Sequence, residues 1–96
     1  MRLREFAPDS FGGDEGFNER MAAAAQEDGI RLGVSLNDSR TFAEAIKINA
    51  WDSIDGGMYI DYFKEGWIEG RKDKIQFDNK QYGLNLRLRP DGSIVR

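Results

Sequence analysis

Residues 58–73 constrain the fold of this chain more than any other stretch, because they fit one side-chain period and refuse the other. An alternating reading of Met58, Tyr59, Ile60, Asp61, Tyr62 and Phe63 fails at once, since Met58, Ile60 and Tyr62 lead to Lys64 while Tyr59 and Phe63 bracket Asp61. At about 100° per residue, Tyr59, Ile60, Tyr62, Phe63, Gly66, Trp67 and Gly70 gather in one arc. Asp61, Lys64, Glu65, Glu69, Arg71 and Lys72 fill the opposite one. The spacing predicts an amphipathic helix with an aromatic face. Gly66 and Gly70 stand one turn apart on that face, where each costs about 1 kcal/mol relative to alanine, so they need a packing reason. That reason is a shallow groove, walled by Tyr62, Phe63 and Trp67, which admits another backbone. Internal helix packing is the commoner use of such a groove. A subunit or partner contact is the functional one, because aromatic anchors beside a groove build interface hot spots.

Two further helices are expected. The first runs from about 14 to 28, with Asp14 as its cap, Ala22, Ala23, Ala24 and Ala25 as strong helix formers, and Gly29 at the left-handed C-terminal position. Ile30 to Leu36 then reads as a connector or short strand weakened by Gly33. The second helix spans about 39 to 51, where Thr41 and Glu44 form a capping-box pattern ahead of Phe42, Ala45, Ile46 and Ala50 on one face. Trp51 falls on the other face, for burial between layers or for a partner. Gly56 and Gly57 separate this helix from the third, and Asp55 is placed to cap it.

The remainder reads as β-structure. Tyr82, Leu84, Leu86 and Leu88 alternate with Gly83, Asn85, Arg87 and Arg89, and Pro90-Asp91-Gly92-Ser93 supplies a reversal before Ile94 to Arg96 returns. Ile75 and Phe77 add a possible third strand through a turn at Asp78-Asn79-Lys80. The fold class is therefore α+β: three helices (about 14–28, 39–51 and 58–73), a C-terminal antiparallel hairpin (about 82–96) and an extended N-terminal arm over residues 1–16. Residues 17–96 form the one compact domain expected at this length.

The chemistry open to the chain is narrow. It has no histidine and no cysteine in 96 residues, which removes the neutral-pH proton shuttle, thiol nucleophiles and the usual zinc and iron–sulfur ligands. Carboxylates, lysines, tyrosines and hydroxyls remain, so the expectation is a non-enzyme with no catalytic residue and no cofactor; a small carboxylate-based enzyme is the distant alternative. Phe11-Gly12-Gly13-Asp14-Glu15-Gly16 looks like a phosphate loop but carries two acids where a phosphate would bind. Asp52 and Asp55 lack the alternating ligands of a calcium loop, so no metal is expected. The acidic pairs Asp61/Glu65 and Glu69/Asp73 belong to the polar helical face. The apolar runs are too short to span a membrane, and a cytoplasmic location follows as the expectation.

What is left is binding. The arm offers Leu3, Phe6 and Phe11 in a segment whose glycines and proline forbid a helix, so a preformed surface must cover them. The helices offer Trp51, Tyr59, Phe63, Gly66, Trp67 and Gly70. A protein partner or self-association through these residues is the leading expectation. The alternative is nucleic acid: the net charge of −3 conceals six Lys/Arg against eleven Asp/Glu up to residue 57 and eight against six beyond it. Lys72, Lys74, Lys80, Arg87 and Arg89, with Phe77 and Tyr82 between them, are the set for that use, although both aromatics follow the apolar series.

The opening Met1-Arg2-Leu3-Arg4-Glu5-Phe6, with the small size and the mixture of helices and terminal hairpin, resembles small accessory or virion proteins of tailed bacteriophages. That resemblance implies a binding protein acting on a viral assembly or a host factor, located in the virion or the host cytoplasm.

Overall fold

Asn18 opens the first element of the computed structural model, which describes residues 18–96. The expected arm, with Leu3, Phe6, Phe11 and the glycine loop, lies outside the described residues, as does the expected cap Asp14. Helix α1 spans Glu19–Ser35, and the Asn18 side chain accepts from the backbone N–H groups of Arg20 at 2.9 Å and Met21 at 3.4 Å. Gly29 does not end it. Ala22, Ala25, Gly29, Leu32 and Gly33 recur at helical spacing and are all buried, so the connector or strand expected at 30–36 is the last part of α1. A continuous buried face decided the outcome over the local preference of glycine for a cap.

Helix α2 is shorter than its expected 39–51 span, running Phe42–Ile48 behind the capping box foreseen at Thr41 and Glu44. Glu44 N–H donates to Thr41 Oγ1 at 3.4 Å and Thr41 N–H to Glu44 Oε1 at 3.1 Å. It stops in a Schellman motif: Trp51 N–H reaches Ile46 O at 3.0 Å and Ala50 N–H reaches Lys47 O at 3.1 Å. Ala50 occupies the left-handed position of that motif, with φ of 59°. A 3₁₀ turn at Ile54–Gly57 leads onward. Asp55 does not cap the third helix, whose N-cap is Tyr59 with no side-chain bond. Its charge instead acts on the Tyr59 hydroxyl.

Helix α3, Ile60–Tyr82, confirms the helical reading of the aromatic arc and outruns its expected end at residue 73. The third strand expected at Ile75 and Phe77 is helix. Two alternating apolar residues are a weak strand signal beside Lys72, Lys74, Gln76, Lys80 and Gln81, all good helix formers, and no breaker appears before Gly83. Gly83, at φ 64°, supplies the left-handed stop.

The glycines explain how α1 and α3 meet. A Cβ at Gly29 would run into Phe63 O and Trp67 N, and one at Gly33 would lie 2.6 Å from Trp67 O. In return, Cβ atoms at Gly66 and Gly70 would collide with the backbones of Gln26 and Ile30. Residue numbers rise together along both helices, so the two pack in parallel, backbone against backbone, through a G-x-x-x-G pair on each. Around this seam the core collects Leu32, Ala45, Ile46, Trp51, Tyr59, Phe63 and Trp67. Burying a side chain such as Phe63 contributes about 1.5–3 kcal/mol.

The architecture is α+β, closed by a hairpin of β1 (Arg87–Leu88) and β2 (Ile94–Val95), antiparallel with Arg87 opposite Val95 and Leu88 opposite Ile94. The ladder is shorter than the expected 82–96. Upstream of it the main chain of Leu86 pairs with a side chain: Leu86 N–H donates to Asn79 Oδ1 at 2.8 Å, and Asn79 Nδ2 donates to Leu86 O at 3.3 Å. On the far edge Ile94 N–H donates to Asp38 O at 2.7 Å. Both outer edges are thus partly occupied, which blunts strand-to-strand pairing with other chains.

Candidate functional site

The aromatic groove is full. Tyr59, Phe63 and Trp67 are completely buried, Trp51 is 3% exposed, and Gly66 and Gly70 lie against α1. The partner surface expected at these six residues is therefore the seat of α1, and none of them is open on this chain. Trp51 is held from below, its Nε1 donating to Asp28 Oδ2 at 2.9 Å, while Asn49 Nδ2 reaches the same oxygen at 3.1 Å. Burial first, then the charge and hydrogen bond of Asp55, push the Tyr59 hydroxyl above its ordinary pKa.

Arg71 joins them, against the expectation that it would sit on the polar face. It is fully buried, with its guanidinium 4.3 Å from the Trp67 ring centroid. It donates to the carbonyls of Leu36 at 3.2 Å, Asn37 at 2.8 Å and Arg40 at 3.3 Å, where the chain leaves α1 and approaches α2. Carbonyls past a helix C-terminus carry partial negative charge and suit a cation. Burial lowers the pKa of Arg71, opposed by the charge of Asp38. The residue is a clamp for the α1–α2 connection.

Trp67 carries the link to the hairpin: its Nε1 donates to Gly92 O at 2.7 Å. Gly92, at φ 88°, is the position where a side chain would strike Trp67 Nε1 and the Phe42 ring. The adjoining turn is fixed by Asp91, whose Oδ1 accepts from Ser93 N–H at 3.0 Å and Ser93 Oγ at 2.6 Å. These two bonds, then the charge of Arg89, hold the Asp91 carboxyl below its usual pKa.

What the fold leaves exposed is the polar face of this hairpin. Along the β1 segment Leu84, Leu86 and Leu88 turn inward while Asn85, Arg87 and Arg89 are exposed, and Arg96 is exposed at the end of the return. An open cleft of about 520 Å³ is lined, among the described residues, by Asn85, Arg87 and Arg96. Ion pairs elsewhere occupy Arg31, Arg40 and Lys74, and neither Arg87 nor Arg96 has a carboxylate partner among the described residues. Of the basic set read from the sequence, Arg87 and Arg89 fall on this face. Lys74 does not belong to it, being half-buried at 3.6 Å from Asp38 and 3.4 Å from Asp78. Lys72 and Lys80 are exposed on α3.

Phe77 and Tyr82 do not follow the apolar series inward. They are 61% and 65% exposed, on a part of α3 that continues past the end of α1, where the Asn79–Leu86 contact leaves both rings largely in solvent. Five residues apart on a helix, they point about 140° away from each other, so they do not make one patch. The Asn79 side chain ties the last turn of α3, which Tyr82 ends, to the main chain of Leu86 ahead of the hairpin. The sequence reading passed over Asn85 and Arg96 as site residues; the period-two register that placed Arg87 outward carried the signal for Asn85 as well.

Among the described residues no cluster of acidic side chains is arranged to hold a metal ion, and no helix is long and apolar enough to cross a membrane. Asp61, Glu65, Glu69 and Asp73 are exposed. Comparison of the chain with protein-family models, with curated proteins and with solved structures found no match.

Proposed function

We propose that this chain is a non-enzymatic binding protein that engages an anionic partner through the exposed face of its C-terminal hairpin. The observation that carries the reading is a pair of exposed arginines, Arg87 and Arg96, lining one open cleft. In a chain of net charge −3 with eleven acidic residues in its first 57, these cations have no carboxylate partner among the described residues. Guanidinium forks match carboxylates and phosphates geometrically, so an acidic protein surface and a nucleic-acid backbone both fit. The resemblance of the opening hexapeptide to small phage proteins favours a partner in a virion assembly or a host factor.

The test is to titrate the full chain at low salt with three labelled anions: single-stranded oligothymidylate, duplex DNA and polyglutamate. Binding of at least one, clearly weakened in an Arg87→Gln/Arg96→Gln variant with an unchanged circular dichroism spectrum, is the expected result. No binding to any of the three overturns the reading.

A further inference from the structure

Building on the anionic-partner reading, we infer that the Asn85/Arg87/Arg96 cleft is a subsite for the phosphodiester backbone of single-stranded nucleic acid, with Tyr82 as the stacking platform for a neighbouring base. Two independent features converge on that chemistry. The cleft supplies cationic forks and an amide around about 520 Å³ of open space, and a chain of phosphates is a ligand that enters such a cleft without needing an apolar floor. Tyr82, the last residue of α3, keeps 65% of its surface in water, although an aromatic ring at that place has Leu84 and Leu86 beside it in sequence to pack on.

Reach decides whether the two belong together. Three Cα-to-Cα steps lead from Tyr82 to Asn85, a span of at most about 10–11 Å even when fully extended. Gly83 at φ 64° ends α3, and the two hydrogen bonds between Asn79 and Leu86 hold the following segment against its last turn, so Tyr82 adjoins the segment that carries Asn85. Phe77 is excluded, since it points to the other side of the helix. An acidic peptide would use the arginines but has no use for an exposed ring. A single strand uses both, because backbone neutralisation and base stacking are its two sequence-independent contacts.

The two contacts answer differently to salt, and the difference is the test. Anisotropy of labelled oligothymidylate with the full chain should show affinity falling with salt at a log–log slope of about −1.4 for two neutralised phosphates, a loss of roughly sevenfold between about 50 and 200 mM. Arg87→Gln/Arg96→Gln should flatten that slope towards zero. Tyr82→Ala should weaken binding by at least about fivefold and leave the slope unchanged, because stacking releases no counterion. Duplex DNA, whose bases are already stacked, should bind more weakly than the single strand. If polyglutamate binds as tightly as oligothymidylate, or Tyr82→Ala has no effect, the nucleic-acid subsite is overturned while the anionic-partner reading stands. If none of the three probes binds, both fall.

Discussion

At the level of single residues, the seam between α1 and α3 shows how a missing atom can be the feature selected for. Four glycines with a combined helix-propensity penalty of about 4 kcal/mol fit here because each faces main chain across the interface. Gly66→Ala therefore sets two effects against each other: a propensity gain of about 1 kcal/mol and an overpacking cost of about 1–3 kcal/mol. The new Cβ would stand 2.8 Å from the carbonyl carbon of Gln26, which belongs to a helix and has no flexible end to move, so overpacking wins. Urea denaturation should show a net loss of up to about 2 kcal/mol, and a variant more stable than the parent would contradict the close packing. Ala50 presents the reverse case. It holds a left-handed conformation that costs a residue with a Cβ about 1–2 kcal/mol, in a motif that favours glycine. After allowance for the extra freedom glycine has when unfolded, Ala50→Gly should stabilise the chain by about 0.5–1 kcal/mol, read from the same denaturation curves.

At the level of elements, what the sequence disclosed depended on how local the determinant was. The capping box at Thr41 and Glu44 lies within four residues, and both its hydrogen bonds are in place. The aromatic arc of α3 was legible for the same reason, as was the inward leucine register of β1. The end of α1 was not, because Gly29 and Gly33 have the look of a cap and a weak strand until the glycines of α3, 37 residues further on, are brought opposite them. Trp51 and Arg71 likewise depended on distant partners, Asp28 of α1 for the first and the α1–α2 connection for the second. The site was half legible: alternation and charge put Arg87 and Arg89 outward, but the exposure of Tyr82 follows only from α3 running beyond α1. The hairpin also has a pH signature. The Asp91 carboxyl is held below its ordinary pKa, so its ionised form favours the folded turn; that stability is present above the ordinary carboxylate range and is lost as pH falls through the depressed value. Trp67 reports on this turn because its indole N–H is bonded to Gly92 O. Acid titration of tryptophan fluorescence should show a transition below the usual carboxylate range, absent in Asp91→Asn. An Asp91→Asn variant with the parent's acid transition would show that the turn is not its origin.

At the level of the whole molecule, charge and packing divide the described residues between two tasks. The helical part spends four of its aromatic residues internally: Trp51, Tyr59, Phe63 and Trp67 seal the contacts among α1, α2 and α3, and Arg71 and Trp67 tie the connecting loop and the hairpin to that core. The face left without internal obligations is the basic one. Under the proposed function, a field of this kind, local and positive on a chain whose first 57 residues carry a charge of −5, would steer an anionic ligand to the hairpin and away from the helices. Amide NMR correlation spectra of the full chain, titrated at low salt with oligothymidylate and in parallel with polyglutamate, test this most directly. We expect at least one of the two to move the signals of Tyr82, Asn85, Arg87 and Arg96 while those of α1 and α2 stay in place. Spectra in which neither anion moves those four signals, or in which the shifts gather on α1 and α2, would contradict the account.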